Sequence, residues 1–110
     1  MTDPISGRPI PPELQATYRN EFQRGVKLFE ESLNAYQTTS DDQYAKKAKF
    51  KDVMDQALNI MNQSARGFLS PSGQKEESHL EKDYQAYIAQ QTPGNAEKLR
   101  SDINHLKDYV

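Results

Sequence analysis

The residues of this chain that are best suited to chemistry are its two histidines and the carboxylates spaced around them. One set is spaced so that it shares one face of a helix: Glu76, His79 and Asp83. A second set with similar spacing lies near the C-terminus: Asp102, His105 and Asp108. Both side-chain types are zinc ligands, and the two sets would converge if their helices packed antiparallel. Solvated, acid-rich helix faces explain the same spacing without a metal, so we assign no metal ligand.

The chain shows no arrangement suited to catalysis, which requires a nucleophile, a base and an orienting group held together. Ser78 is adjacent to His79, but neighbouring residues on a helix point about 100° apart, which disfavours a serine–histidine pair. The absence of cysteine excludes thiolate nucleophiles. No glycine-rich phosphate loop occurs. We therefore predict a protein that is not an enzyme and binds no cofactor, and we assign no catalytic or cofactor-binding residue.

A local basic patch lies near the start of the second predicted helix. Its lysines are interleaved with two aromatic residues, and the set comprises Tyr44, Lys46, Lys47, Lys49, Phe50 and Lys51. Such a pattern suits contacts with phosphates and bases. The net charge of −2 opposes strong binding to nucleic acid, and lysines on an exposed helical face are the ordinary explanation. A small nucleic-acid-associated regulator is therefore our alternative hypothesis.

The composition indicates a small protein with a thin core. The chain has 110 residues, 35% of them hydrophobic and 27% charged, which is the usual size of one domain. A narrow helical stack, or surface shared with another chain, is the simplest way to build such a core, so we expect self-association into a homo-oligomer. The lack of cysteine fits the cytoplasm. No run approaches the roughly 20 apolar residues that span a bilayer, so we predict no membrane association.

The first predicted elements are a flexible arm and a long helix. Several residues forbid a helix over residues 1–12: Pro4, Gly7, Pro9, Pro11 and Pro12. A helix is predicted over residues 13–38, beginning at Pro12 and Glu13. Its seam is heptad-like: Leu14, Tyr18, Phe22, Val26, Phe29, Leu33 and Tyr36. Gly25 lies on the same face and predicts that another helix crosses closely there.

The second long helix is predicted over residues 41–67. Ser40 and Gln43 have the form of a capping box at its start, and Gly67 would supply a left-handed residue at its end. Its seam reads Phe50, Met54, Ala57, Met61, Ser64 and Phe68. Further residues widen the apolar arc on both sides: Val53, Leu58, Ile60 and Ala65. Since one partner helix cannot cover that arc, we expect the second helix to be the central element.

The connection between the two long helices is short, which forces them into an antiparallel hairpin. Two shorter helices are predicted to follow, over about residues 75–91 and 95–110, with a break at Pro93 and Gly94.

The third helix starts at either Ser72 or Ser78, because Ser78 and Glu81 form a second possible capping box. The fold class is therefore all-α: a long antiparallel hairpin plus two shorter C-terminal helices in a small bundle. We expect residues 13–110 to form a single helical domain.

These observations predict a non-enzymatic helical interaction module: an adaptor, a chaperone-like protein or a self-assembling protein. The surplus apolar face of the second helix would bind a helix of a second copy or of another protein. The candidate partner-binding residues combine flexible methionines with aromatic rings: Phe50, Met54, Met61, Phe68, Tyr84 and Tyr87. The alternative left open is that these side chains form the core of the chain itself.

Overall fold

A computed structural model describes residues 11–109 of the chain. Over that range the chain forms four α-helices and no strand, which confirms the predicted all-α class: α1 (Pro12–Thr38), α2 (Tyr44–Ala65), α3 (Pro71–Ala89) and α4 (Pro93–Lys107). Residues 1–10 of the predicted arm lie outside the described residues, as does Val110 at the end of the predicted fourth helix.

Three of the four helices begin with proline, which loses no hydrogen bond at the first helical position. Helix α1 begins at Pro12, as predicted. The Ser70 hydroxyl accepts a hydrogen bond from the Gly73 N–H at 3.2 Å at the start of α3. The Thr92 hydroxyl accepts from the Asn95 N–H at 3.2 Å at the start of α4. These caps satisfy N–H groups that have no partner inside the helix.

Neither predicted capping box forms. Helix α2 begins at Tyr44, because the Ser40 hydroxyl donates to the Asp42 carboxylate at 2.6 Å and the backbone at Gln43 is not helical. The prediction that α2 starts at residue 41 is therefore wrong. Helix α3 begins at Pro71, which places Ser78 inside the helix. The predicted starts at Ser72 and Ser78 are therefore wrong as well.

Helices α1 and α2 form the predicted antiparallel hairpin, and Gly25 is its point of close approach. A Cβ atom at Gly25 would lie 2.8 Å from Met61 Cγ and 3.1 Å from the Ala57 carbonyl oxygen. Glycine is thus required because the backbone of α2 crosses directly over this position. The close crossing predicted from the sequence is confirmed.

Gly67 has a different role from the predicted one. Helix α2 ends at Ala65, and the backbone of Gly67, in the turn that follows, is not left-handed. Instead, a Cβ atom there would overlap the Tyr18 ring. Glycine is needed at this turn because the Tyr18 ring occupies the space that any side chain would fill.

Helices α3 and α4 form a second, shorter hairpin that packs on the first through large side chains. The rings of Phe29 and Tyr84 meet edge to face at 5.4 Å between centroids. Those of Tyr36 and Tyr87 do so at 6.2 Å. The Tyr84 hydroxyl also donates to Asp55 Oδ1 at 2.7 Å. Aromatic rings therefore hold the two hairpins together and fill the space between their backbones.

The four helices form a closed ring in which each one contacts two others. Helix α2 contacts α1 and α3, as its wide apolar arc predicts, and α1 contacts α2 and α4. No helix of this ring is central, so the prediction that α2 is the central element is wrong. The described chain is elongated, measuring 50 × 23 × 21 Å. None of its helices is both long enough and apolar enough to cross a membrane.

The contact between Gly67 and Tyr18 gives a testable prediction. Gly67→Ala should lower the free energy of unfolding by about 1–3 kcal/mol, because the new methyl group must displace the Tyr18 ring. Gly94→Ala is the matched control, since no described atom lies within 4 Å of its added Cβ atom. Urea unfolding of both variants measures the difference. Equal stability of the two variants would show that Gly67 is not needed for packing.

Candidate functional site

Five of the six predicted partner-binding residues lie in the core of the chain. Met54 and Met61 are fully buried, and the exposed fraction of the other three is at most 8%: Phe68, Tyr84 and Tyr87. Phe50 is half-buried and packs against this core. These side chains therefore form part of the core of the chain itself, which was the alternative that the sequence left open. A partner would reach the five buried residues only if the bundle opened, and their binding role stays a prediction.

The basic patch is partly neutralised by neighbouring acids. Lys47 Nζ lies 2.7 Å from Asp41 Oδ1 and 4.7 Å from the centroid of the Tyr36 ring. Lys51 Nζ lies 3.0 Å from Asp55 Oδ2. Two of the four lysines are thus engaged within the chain, which reduces the charge available to a phosphate backbone.

A polar cluster forms where α3 and α4 pack against each other. His79 Nδ1 lies 3.5 Å from Asp102 Oδ1, and His79 Nε2 lies 3.9 Å from Asp83 Oδ2. Beside them, His105 Nδ1 lies 3.2 Å from Glu76 Oε1. The two sequence sets therefore converge, because the helices that carry them are antiparallel neighbours. Asp108, the last residue of the second set, is exposed and lies just after the end of α4.

Asp102 is the buried member of this cluster, with 4% of its surface exposed. Among the described residues, its Oδ2 atom has no hydrogen-bond partner. Burial, a hydrogen bond to Asp83 and the charge of Asp83 together raise the pKa of Asp102 to about 7. His79 acts in the opposite direction. The Asp102 carboxyl can therefore exchange a proton near neutral pH, and a cation placed beside it would hold it in the charged form.

Glu77 is a second buried carboxylate on the short hairpin, and the sequence analysis did not single it out. Its exposed fraction is 7%, and Oε1 has no hydrogen-bond partner in the described part of the chain. Burial, with a smaller effect from the charge of Glu81, raises its pKa to about 7 against the opposing charge of Arg66. A signal was present: Glu77 stands three residues before Leu80 and seven before Tyr84, on the apolar seam of α3.

Comparison with protein families, curated proteins and solved structures gives no match to this chain. Function is therefore inferred from the residues themselves. Two chemical capacities stand out on the α3–α4 hairpin: cation binding by the His79 cluster and proton exchange by two buried carboxyl groups.

Glu77 should make the stability of the fold depend on pH. Its pKa rises from 4.5 in the unfolded chain to about 7 in the folded one, so folding favours the protonated form. The resulting stability is fully present below pH about 4.5 and is lost as the pH rises through about 7. Glu77→Gln should therefore gain on the order of 2 kcal/mol relative to the wild type between pH 4.5 and pH 8.

Urea unfolding at several pH values measures this difference. Glu31→Gln, which changes an exposed glutamate of α1, is the control and should follow the wild type at every pH. If Glu77→Gln also followed the wild type at every pH, folding would not raise the pKa of Glu77.

Proposed function

We propose that the protein is a non-enzymatic helical interaction module whose docking surface is the outer side of the α1–α2 hairpin. The observation that carries the proposal is an outer strip of half-buried apolar residues on that side: Leu28, Val53 and Ile60. Ile60 lies beside Gly25, where α1 and α2 cross. Leu28 is three residues after Gly25, and Val53 is one heptad before Ile60, so helical spacing puts all three on the same side of the hairpin.

The short hairpin covers the opposite side of α1. Helix α4 contacts α1 through Lys107, whose Nζ lies 2.7 Å from Glu30 Oε2, and through Arg100, which donates to Asn34 Oδ1 at 2.6 Å. Glu30 is two residues after Leu28, so the two side chains point about 200° apart on α1. Leu28 therefore faces away from α4.

The same holds for α2. Tyr84 of α3 contacts Asp55, which points about 140° away from Ile60 around the helix axis. The residues that widen the apolar arc toward α3, Leu58 and Ala65, are buried, whereas Val53 and Ile60 are only half-buried. Val53 and Ile60 are thus the part of the wide apolar face of α2 that residues 11–109 leave partly exposed.

The strip continues toward the start of α1. A cleft between the long helices has a lining that is half apolar or small and half charged or amide-bearing: Tyr18, Glu21, Arg24, Ile60, Gln63 and Ser64. Leu14, one turn before Tyr18, is 41% exposed. A narrow, extended apolar surface of this kind suits the apolar face of an amphipathic helix, from a second copy or from another protein.

Binding through the predicted residues of α2 is the second form of this proposal. Met54, Met61 and Tyr84 are buried in the closed bundle. They would contact a client only if the α3–α4 hairpin moved away from α1 and α2 and broke aromatic contacts such as that of Phe29 with Tyr84. A chaperone-like activity would work in this way.

The lack of cysteine supports placing the protein in the cytoplasm. The nucleic-acid alternative is less well supported, since Lys47 and Lys51 have acidic partners.

The outer strip predicts concentration-dependent self-association. Light scattering should give a mass that rises above the monomer mass of 12.6 kDa as concentration increases. The double change Val53→Gln and Ile60→Gln should keep the chain monomeric, because it removes apolar surface from the strip without adding charge. Asn59→Gln, at an exposed position of α2, is the control and should behave as the wild type. Circular dichroism checks that all variants stay helical.

The same variants decide between self-association and another partner. If the wild type is monomeric at every concentration, affinity capture from the source cells should recover a protein that the double variant loses. A monomeric wild type whose captured proteins are the same as those of the double variant would contradict the proposal.

A further inference from the structure

We propose that the polar cluster of the α3–α4 hairpin is a site for one divalent transition-metal ion of the zinc class, with His79, Asp83 and Asp102 as its protein ligands. One ligand atom from each of these residues lies within 4.8 Å of the other two. Asp83 and His79 come from α3 and Asp102 comes from α4, so the ion would join the two helices.

The spacing of the ligand atoms is close to what a metal requires. Ligands about 2.1 Å from a tetrahedral zinc ion are about 3.4 Å apart. His79 Nδ1 and Asp102 Oδ1 are already 3.5 Å apart. The His79 side chain is 57% exposed, so its ring has room to turn and present one nitrogen to an ion between the two carboxylates. Small side-chain movements therefore suffice to form the site.

The buried Asp102 carboxylate is an independent indication of a ligand. It is more than nine-tenths buried, and its Oδ2 atom lacks a hydrogen-bond partner among the described residues. A hydrogen bond joins its carboxyl group to that of Asp83, which requires one of the two groups to hold a proton. A buried carboxylate oxygen without a partner costs free energy, and the two groups repel each other when both are charged. A divalent cation between them removes both penalties.

The donor set selects the class of ion. One imidazole and two carboxylates match zinc and its first-row neighbours, whereas calcium and magnesium prefer sites made of oxygen alone. Glu76 and His105 lie next to the cluster and form a pair with each other. An open cleft lined by Glu76, His79 and Lys82 lies beside the site and gives an ion a path from solvent. Three protein ligands leave one tetrahedral position for water.

Titration calorimetry with zinc chloride on the tag-free, chelator-treated chain tests the site. We expect saturable binding of one ion per chain. Asp102→Asn keeps the shape of the buried side chain and should weaken binding at least tenfold, as should His79→Gln. His105→Gln is the matched control, because it removes the only other histidine and should change the affinity less than threefold.

Thermal unfolding supplies a second readout. Zinc should raise the melting temperature of the wild type and of His105→Gln, because an ion that binds only the folded chain stabilises it. It should raise that of Asp102→Asn by less at the same zinc concentration. Absence of saturable binding, equal binding by all variants, or a loss of binding in His105→Gln alone would each overturn the proposal.

Discussion

The close crossing of α1 and α2 at Gly25 is the constraint on which the rest of the structure depends. Because Gly25 has no side chain, the backbone of α1 lies directly against Met61 and the Ala57 carbonyl group of α2. The hairpin then has two distinct sides. One side buries its large residues against α3 and α4, with Phe29 stacked edge to face on Tyr84. The other side carries the outer strip, where Leu28, Val53 and Ile60 keep part of their apolar surface exposed.

The buried acidic side chains of the described chain lie on the short hairpin. Both buried carboxylates without full hydrogen bonding in the described chain, Glu77 and Asp102, belong to α3 and α4. Each one lowers the stability of the fold when it is charged, because a buried charge without a partner costs free energy. The long hairpin supplies most of the aromatic and aliphatic core, and the short hairpin carries the two buried carboxyl groups and the proposed metal site.

Much of the architecture could be predicted from the sequence, because it depends on patterns that neighbouring residues set. The seams of α1 and α2, the proline start of α1 and the close crossing at Gly25 all follow from spacing and residue type. The predicted capping boxes failed because competing local partners were available: Asp42 for the Ser40 hydroxyl, and the Ser70 cap for the start of α3. The role of Gly67 was predicted wrongly because glycine is required there by the ring of Tyr18, which is far away in the sequence.

The candidate sites were harder to predict, because they depend on how the helices face one another. The sequence could indicate that the histidine sets would meet, but the burial of Asp102 follows from tertiary packing. The Glu-x-x-His spacing of Glu76 and His79, and a glutamate on the seam of α3, were the available signals. Similarly, the sequence showed that α2 has too much apolar surface for one neighbour. It could not show which flank α3 covers and which flank stays open.

The most direct test of this account asks whether the seam of α2 is covered within one chain. Peroxide oxidises exposed methionine side chains, so mass spectrometry can follow Met54 and Met61 in the folded protein and in urea. Because both are fully buried, the account predicts that they oxidise at least about tenfold more slowly in the folded chain than in the unfolded one. Equal rates in the two states would mean that the face of α2 is open, and would contradict the account.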